Sequence, residues 1–431
     1  MHSTLWDMRL ALVALMPILI WTRVVAADPI GFVPPLDATS REAVVNPDDV
    51  DTLKFFVANQ YTVDDNLFRL PAASSYLVTY AGPNASRAER IDTISAGIDG
   101  QRTWNRQTIL LDVRIDDNRF SRNEEFNGKT GNGKLEWDWQ SGPLWIGQAG
   151  VIYNRFIPNF QDSLFYSRDI FSTTEYFGKA QFQGGPHWNF VGGLSEAENS
   201  NSNVALRPND FHSKSGNFGA HYFTLAEDSI GWDYLYTDGT FTSDVVINGL
   251  PYNRAFRDNS ARFSVKYSLT PKTVLDANAG YLSHNTASAG FGSFSGNVWR
   301  ASLQWQPLAK TQFVFAGWRD VAAYRDAQSA FFVSRGYSVT PTWIPRDKIT
   351  ISLLASRETH DFLGSGDVAP ALIPQFTSRQ DKLTLEQVSV AYSPRKALSL
   401  KLSYQYQQRD SNIARFSYDD NLVSAALTVA F

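Results

Sequence analysis

The chain has 431 residues, no cysteine, 43% hydrophobic and 14% aromatic residues, and 39 Lys+Arg against 43 Asp+Glu for a net charge of -4. These values exclude thiolate metal sites and disulfides, a disordered chain, and a nucleic-acid partner, which would need a clustered basic surplus. A mean hydropathy of -0.27 reads as soluble, yet 12 Trp, 18 Tyr and 29 Phe are more than a water-facing surface usually carries.

Residues Leu10 to Trp21 form one apolar run behind Arg9, and Val25-Ala26-Ala27 precede Asp28-Pro29. The run is too short to span a bilayer and ends on small residues, so residues 1–27 read as a cleaved signal peptide rather than an anchor. Residues 28–50 contain PIGFVPPLD and VNPDDV, too proline-rich for strand, and are expected to form a lead-in to a β structure over 51–431.

Beyond residue 50 the pattern has period two. Ile109, Leu111, Val113 and Ile115 interleave with Asp112, Arg114 and Asp116; Leu135, Trp137 and Trp139 interleave with Glu136 and Asp138. The same pattern holds over 261–268, 275–281, 299–306 and 398–407. One unbroken apolar face and one charged face suit a strand with lipid outside and water inside. Candidate strands lie near residues 53, 91, 105, 134, 145, 175, 187, 217, 230, 260, 273, 297, 311, 332, 348, 383, 398 and 421. Over 383–392 the parity slips near Gln387, which predicts a bulge.

The later links alternate short and long. Leu269–Lys272, Pro307–Lys310, Ile344–Asp347 and Ser393–Lys396 each carry a proline and a basic residue, and the links between them are long and polar. A soluble sandwich has no reason to keep long loops on alternate connections. Trp145, Trp188, Trp232, Tyr267, Tyr281, Trp305, Trp343 and Tyr392 sit at strand ends, as interfacial girdles do. The chain closes on an alternating strand ending in Phe431, which resembles the terminal assembly signal of outer-membrane barrels. The expectation is an all-β transmembrane antiparallel barrel of about 18 strands (16–18), with short periplasmic turns and long extracellular loops. It places the protein in the Gram-negative outer membrane, with the membrane lipid and the barrel-assembly machinery as partners.

Asp64-Asp-Asn-Leu-Phe-Arg-Leu70, Gly336-Tyr-Ser-Val-Thr-Pro-Thr-Trp343 and Ala397 to Asn412 (ALSLKLSYQYQQRDSN) carry a further likeness. In these motifs the chain resembles the EpsL-type outer-membrane barrel proteins of exopolysaccharide loci. The resemblance implies a role in export of a secreted polysaccharide, with no catalytic residues and no cofactor. It also suggests a periplasmic polysaccharide-export protein docked on the turns at Pro271, Pro307, Pro345 and Pro394. A general diffusion porin for small solutes is the alternative.

Lumen-facing candidates are Arg114, Lys179, Arg262, Lys266, Arg300 and Lys401, opposed by Asp112, Asp116, Glu136, Asp138, Asp233 and Asp276. A balanced wall favours a neutral or mildly charged glycan, since a pore for a strongly charged polymer should show a one-sign surplus. Phe160, Phe165, Tyr166 and Phe171 in the loop over 157–173 could stack on sugar rings or form the loop's own core. The histidines after residue 27 (His187, His212, His221, His284 and His360) lack metal-ligand spacing such as HExxH. The carboxylate pairs Asp112 with Asp116 and Glu136 with Asp138 are of the kind a glycosidase uses, but residues two apart on an alternating strand share a face, so such pairs are common by chance and an enzyme is not expected.

Overall fold

The computed structural model describes residues 51–161, 166–226, 228–247, 250–287, 293–323, 331–363 and 379–431. The signal-peptide and lead-in expectations fall on residues 1–50, outside the described residues. Strands run over Thr52–Asp64 (β1), Glu89–Trp104 (β2), Gln107–Phe120 (β3), Gly128–Ser141 (β4), Trp145–Phe156 (β5) and Phe171–Gln183 (β6). They continue over Trp188–Asn201 (β7), Phe211–Phe223 (β8), Ser229–Phe241 (β9), Phe256–Thr270 (β10), Thr273–Thr286 (β11) and Phe294–Leu308 (β12). The last six are Thr311–Ala323 (β13), Phe331–Arg346 (β14), Ile349–Leu363 (β15), Gln380–Arg395 (β16), Leu398–Ser411 (β17) and Tyr418–Ala430 (β18). All eighteen form one sheet, each strand antiparallel to its chain neighbours, and β1 pairs with β18 from Phe56↔Ala430 to Asp64↔Leu422. The sheet is therefore a closed barrel, which satisfies every backbone edge and is the way strands can cross a bilayer. Among the described residues no helix is long and apolar enough to do so.

Register fixes which side chains face out. Phe55 pairs with Ile98, Ile98 with Val113, and Val113 with Gly133, while Leu402 pairs with Val390 and Ala425. The exposed large apolar residues follow that parity round the ring, from Leu53, Phe55 and Val57 to Leu400, Leu402 and Tyr404. In water such a surface would be a severe aggregation liability; in a bilayer it is the lipid face. The girdle candidates Trp145, Trp188, Trp232, Tyr267, Tyr281, Trp305, Trp343 and Tyr392 all take the outward parity. Toward the other rim, tyrosine hydroxyls donate upward into a polar band, Tyr281 to Ser295 Oγ (2.7 Å) and Tyr404 to Asn421 Oδ1 (2.7 Å).

The proline-bearing links are tight turns preceded by register shifts, between Ser268 and Thr270, Trp305 and Leu308, Trp343 and Arg346, and Tyr392 and Arg395. Pro307, Pro345 and Pro394 lie inside those shifts, where the ladder needs no donor from them. Pro341, by contrast, sits within β14. It keeps its pairing with Phe313, and the ladder to β15 skips from Val339↔Ala355 to Thr342↔Ser352 around it.

The bulge expected near Gln387 is absent. β15 and β16 pair without a shift from Ile349↔Tyr392 to Asp361↔Gln380. Leu383 and Leu385 instead point inward, and Leu383 is buried. The upper inner wall is apolar and buried at several points, including Phe211, Phe256, Val298, Phe332 and Phe362. The buried core thus lies within the barrel mouth. Leu67, Phe68, Leu70, Phe120, Phe126 and Phe160 cluster there, with Leu77 and Tyr80 of the short helix Ser74–Tyr80 (α1) and Tyr166 packed against them.

Candidate functional site

The site is the lumen. Its charged side chains sit on inward-facing positions: Asp112, Arg114 and Asp116 on β3, Glu136 and Asp138 on β4, Lys179 on β6, and Asp233 on β9. Arg262 and Lys266 lie on β10, Asp276 on β11, Arg300 on β12 and Lys401 on β17. Arg114 Nε donates to Asp116 (2.6 Å), Lys134 pairs with Glu136 (3.0 Å), and Arg300 reaches Asp320 (2.9 Å). Asp233 accepts from His221 Nε2 at 2.9 Å. Sequence reasoning passed over Lys54, Asp99, Lys134, His221 and Glu175, which the same period-two parity would have found. The additions carry both signs, so the middle of the wall has no one-sign surplus. The signs are nevertheless unevenly placed. β2 to β6 lean acidic, with Asp99, Asp112, Asp116, Glu136, Asp138 and Glu175 against Arg114, Lys134 and Lys179, while on the rest of the ring Arg262, Lys266, Arg300, Lys401 and Lys54 outnumber Asp233, Asp276 and Asp320. The lumen is close to neutral in sum and polarised across its width.

The mouth is narrowed by chain. From the end of β5 the chain turns in so that Phe160 packs 5.1 Å from Phe68 and 5.2 Å from Phe126, ring centre to ring centre. Tyr166 closes on Phe160 at 5.7 Å. Burial, opposed by Arg415 and Arg409, pushes the Tyr166 phenol up to about 12, so it stays a neutral donor. At Gln161 the chain is tied to the inner wall of β17: Arg409 Nη1 donates to the Gln161 carbonyl (2.7 Å) and Gln407 Nε2 to its side-chain oxygen (3.1 Å). Arg409 is fully buried and shares Asp381 with Arg379, whose guanidinium stacks on Phe416 at 3.5 Å and Phe362 at 4.0 Å. Phe160 and Tyr166 therefore spend their faces on the plug rather than on a passing sugar. Phe171, on the inner face of β6, is buried 5.5 Å from Phe156. Phe165 lies outside the described residues.

The Asp64–Leu70 motif fastens this plug to the seam. Asn66 Nδ2 donates to the carbonyls of Leu70 (2.9 Å) and Asp419 (2.8 Å), and Asp65 accepts from the backbone and side chain of Asn421 (2.7 and 2.8 Å). Asp64, Asp65 and Asp420 lie within 4.8 Å of one another, close enough to hold a cation. Arg69 already fills that role, reaching Asp64 at 3.0 Å and Asp420 at 3.1 Å. It does so from a left-handed backbone (φ 54°), a strain of ~1–3 kcal/mol that its carboxylate partners offset. At the other end of the seam Phe431 exchanges backbone hydrogen bonds with Phe55 (2.8 and 3.3 Å).

Comparison with known proteins agrees with this geometry. Residues 239–431 match the family model described as Putative beta-barrel porin 2. A BenF-like porin from Pseudomonas fluorescens Pf-5 superposes with a TM-score of 0.51 at 11% identity, covering 90% of this chain and 100% of that one. The chain shares the closed antiparallel β-barrel fold of that porin, and its C-terminal part matches the porin family model. The outer membrane protein opdK of Pseudomonas aeruginosa (TM-score 0.46, 12% identity, 88% and 99% covered) is also similar. So is OccK2 (OpdF) of the same organism, in complex with glucuronate (0.47, 11%, 88% and 98%). None of the curated proteins matches the chain. The family model is a porin model, and nothing in these comparisons supports the exopolysaccharide family that the short motifs resemble.

Proposed function

We propose that this barrel is a diffusion pore for small hydrophilic solutes, with a preference for those that are neutral or dipolar. The observation that carries the reading is the mouth: a buried plug held to the inner wall through Arg409 and Gln161 narrows the passage, and a polymer needs an unobstructed one. The balanced wall supports the solute class. A pore for anions or cations is expected to concentrate one sign along its path, whereas charge separated across the lumen orients dipoles without excluding either ion. Polysaccharide export draws support from the short motifs only, and the structure gives those motifs local tasks: a seam clasp at Asp64–Leu70 and a ladder interruption at Pro341.

Reconstituted into liposomes, the full chain should admit monosaccharides and amino acids, with entry falling off steeply for larger oligosaccharides. Current through planar bilayers should show weak ion selectivity. Absence of both solute entry and current would sink the pore reading. A deletion strain that kept solute uptake but lost secreted polymer would restore the export reading.

A further inference from the structure

The short turns that close the barrel are unevenly charged. Those joining β4 to β5, β6 to β7 and β8 to β9 carry no lysine or arginine. From β10 onward every short turn is basic, with Lys272, Lys310, Arg346, Lys348, Arg395 and Lys396 against the carboxylate of Asp347. Two of these cations are spent within the protein. Lys272 Nζ donates to the Pro307 carbonyl (2.9 Å), and Lys310 Nζ donates to the Pro345 carbonyl (3.4 Å) and lies 3.8 Å from Asp347. Among the described residues the side chains of Arg346, Lys348, Arg395 and Lys396 make no hydrogen bond and no ion pair, and all four are exposed.

Register puts these four on adjacent turns beside one groove in the outer wall. Ile349 pairs with Arg346 across one turn and with Tyr392 on β16, and Tyr392 pairs with the outward Leu400. The Ser393 amide donates to the Lys348 carbonyl (2.9 Å), and Arg395 pairs with Leu398 across the next turn. Arg346, Asp347, Lys348, Ile349 and Tyr392 line a cavity of about 600 Å³. Toward the middle of the membrane the outward face continues apolar and exposed through Val390, Leu402 and Leu353. A soluble anion could use these cations but not the wall beneath them, and an uncharged lipid could use the wall but not the cations. A phosphate carried on acyl chains uses both. Basic clusters at a membrane surface select anionic lipids, the guanidinium fork matches phosphate oxygens, and a tyrosine such as Tyr392 suits headgroup depth.

We infer that the groove beside the β14–β15 and β16–β17 turns binds an anionic phospholipid of the leaflet at the turn rim. Arg346 and Lys348 from one turn and Arg395 and Lys396 from the next supply its cations, and the apolar wall below takes its acyl chains. The site does not depend on what the lumen passes.

Native mass spectrometry of the full-length folded barrel, released from a neutral detergent, counts the lipids that stay bound. The barrel should retain phosphatidylglycerol at concentrations where phosphatidylethanolamine is lost, and the preference should shrink as ammonium acetate is raised. Inorganic phosphate should not displace the lipid, because the acyl chains contribute. Arg346→Gln with Arg395→Gln should weaken phosphatidylglycerol binding roughly tenfold, whereas Arg346→Lys with Arg395→Lys should keep most of it. Removing two charges elsewhere on the same rim, Arg102→Gln with Arg106→Gln, should leave it unchanged. All these variants should keep their heat-modifiable mobility on a denaturing gel; if the first pair fails to fold, Lys348→Gln with Lys396→Gln reads the same loss. Phosphatidylglycerol binding unaltered by the glutamine pairs, or weakened equally by the Arg102 and Arg106 substitutions, would overturn the site. Equal retention of the two lipids would also overturn it and leave the four cations to an acidic protein partner.

Discussion

The two rims of this barrel are built on opposite principles. At the rim of short turns the chain reverses within a few residues, as at Asn105-Arg106, where Asn105 takes a left-handed backbone (φ 54°) that asparagine tolerates. Aromatic rings there face outward to lipid, with Trp145 tilted against Phe182 at 4.9 Å and Trp305 stacked on Phe313 at 5.4 Å. The rim of long loops keeps outward tyrosines such as Tyr281 and Tyr404, but there a second set of aromatics turns inward, and arginines are buried among them. One rim is held by aromatics facing outward alone and the other also by the protein's own core. On the pore reading proposed above, the difference would give them separate tasks: the turn rim sets the barrel's place in the bilayer, and the loop rim sets what enters.

If that division is right, damage to the loop core should change permeation and leave the barrel intact. Phe68 is the ring on which Phe126, Phe160 and Tyr166 converge. Phe68→Ala should remove ~3–5 kcal/mol of packing from the plug. Single-channel conductance should rise and the loops should become sensitive to protease, with heat-modifiable mobility retained. A variant that failed to insert would show that the plug is part of the barrel's own stability, and the two-rim division would fall. Arg409→Ala is expected to act next most strongly. It leaves the Gln161 carbonyl without its donor and Asp381 with Arg379 as its remaining cation, at roughly 1–3 kcal/mol. Conductance should become noisier, with brief openings visible in single-channel records, and a trace indistinguishable from the parent would deny Arg409 a latch role.

How far the sequence revealed these rims depends on how local each signal is. Strand positions were legible because the lipid face demands one apolar residue in every two, as at Leu398 to Tyr406, and the turn rim announced itself by proline next to lysine or arginine. Lumen charges such as Asp112 and Arg262 followed from parity alone. The loop rim was obscured for the opposite reason. Leu383 and Leu385 look like a parity error because they face inward onto the wall below the plug, and no local pattern says that a lumen is filled. Gln161 and Arg409 lie too far apart in the chain for spacing to pair them.

Within the lumen the uneven placement of charge gives a milder test. Glu136 and Asp138 stand on the acidic side of the ring, and Glu136→Gln with Asp138→Asn leaves the cations on β10, β12 and β17 in place. The double variant should move the reversal potential in a salt gradient toward anion preference, by a modest amount because Asp112, Asp116 and Glu175 remain. An unchanged reversal potential would mean that these carboxylates lie off the ion path.

The smallest effect is expected at the turn rim, where the proline and lysine of adjacent turns meet. Lys272 Nζ donates to the Pro307 carbonyl (2.9 Å) and Lys310 Nζ to the Pro345 carbonyl (3.4 Å). The basic residues in these links thus join each turn to the next, in parallel with the backbone bonds Gln306 N to Lys272 O (2.8 Å) and Ile344 N to Lys310 O (2.8 Å). Lys272 is exposed, and a hydrogen bond from a hydrated ammonium adds little beyond the backbone bond beside it. Lys272→Ala should therefore lower Tm by about 1 °C or less and leave conductance and reversal potential as they were. A change in conductance from this substitution would be more informative than its absence: it would put the turn rim on the permeation path and remove the separation of tasks between the two rims.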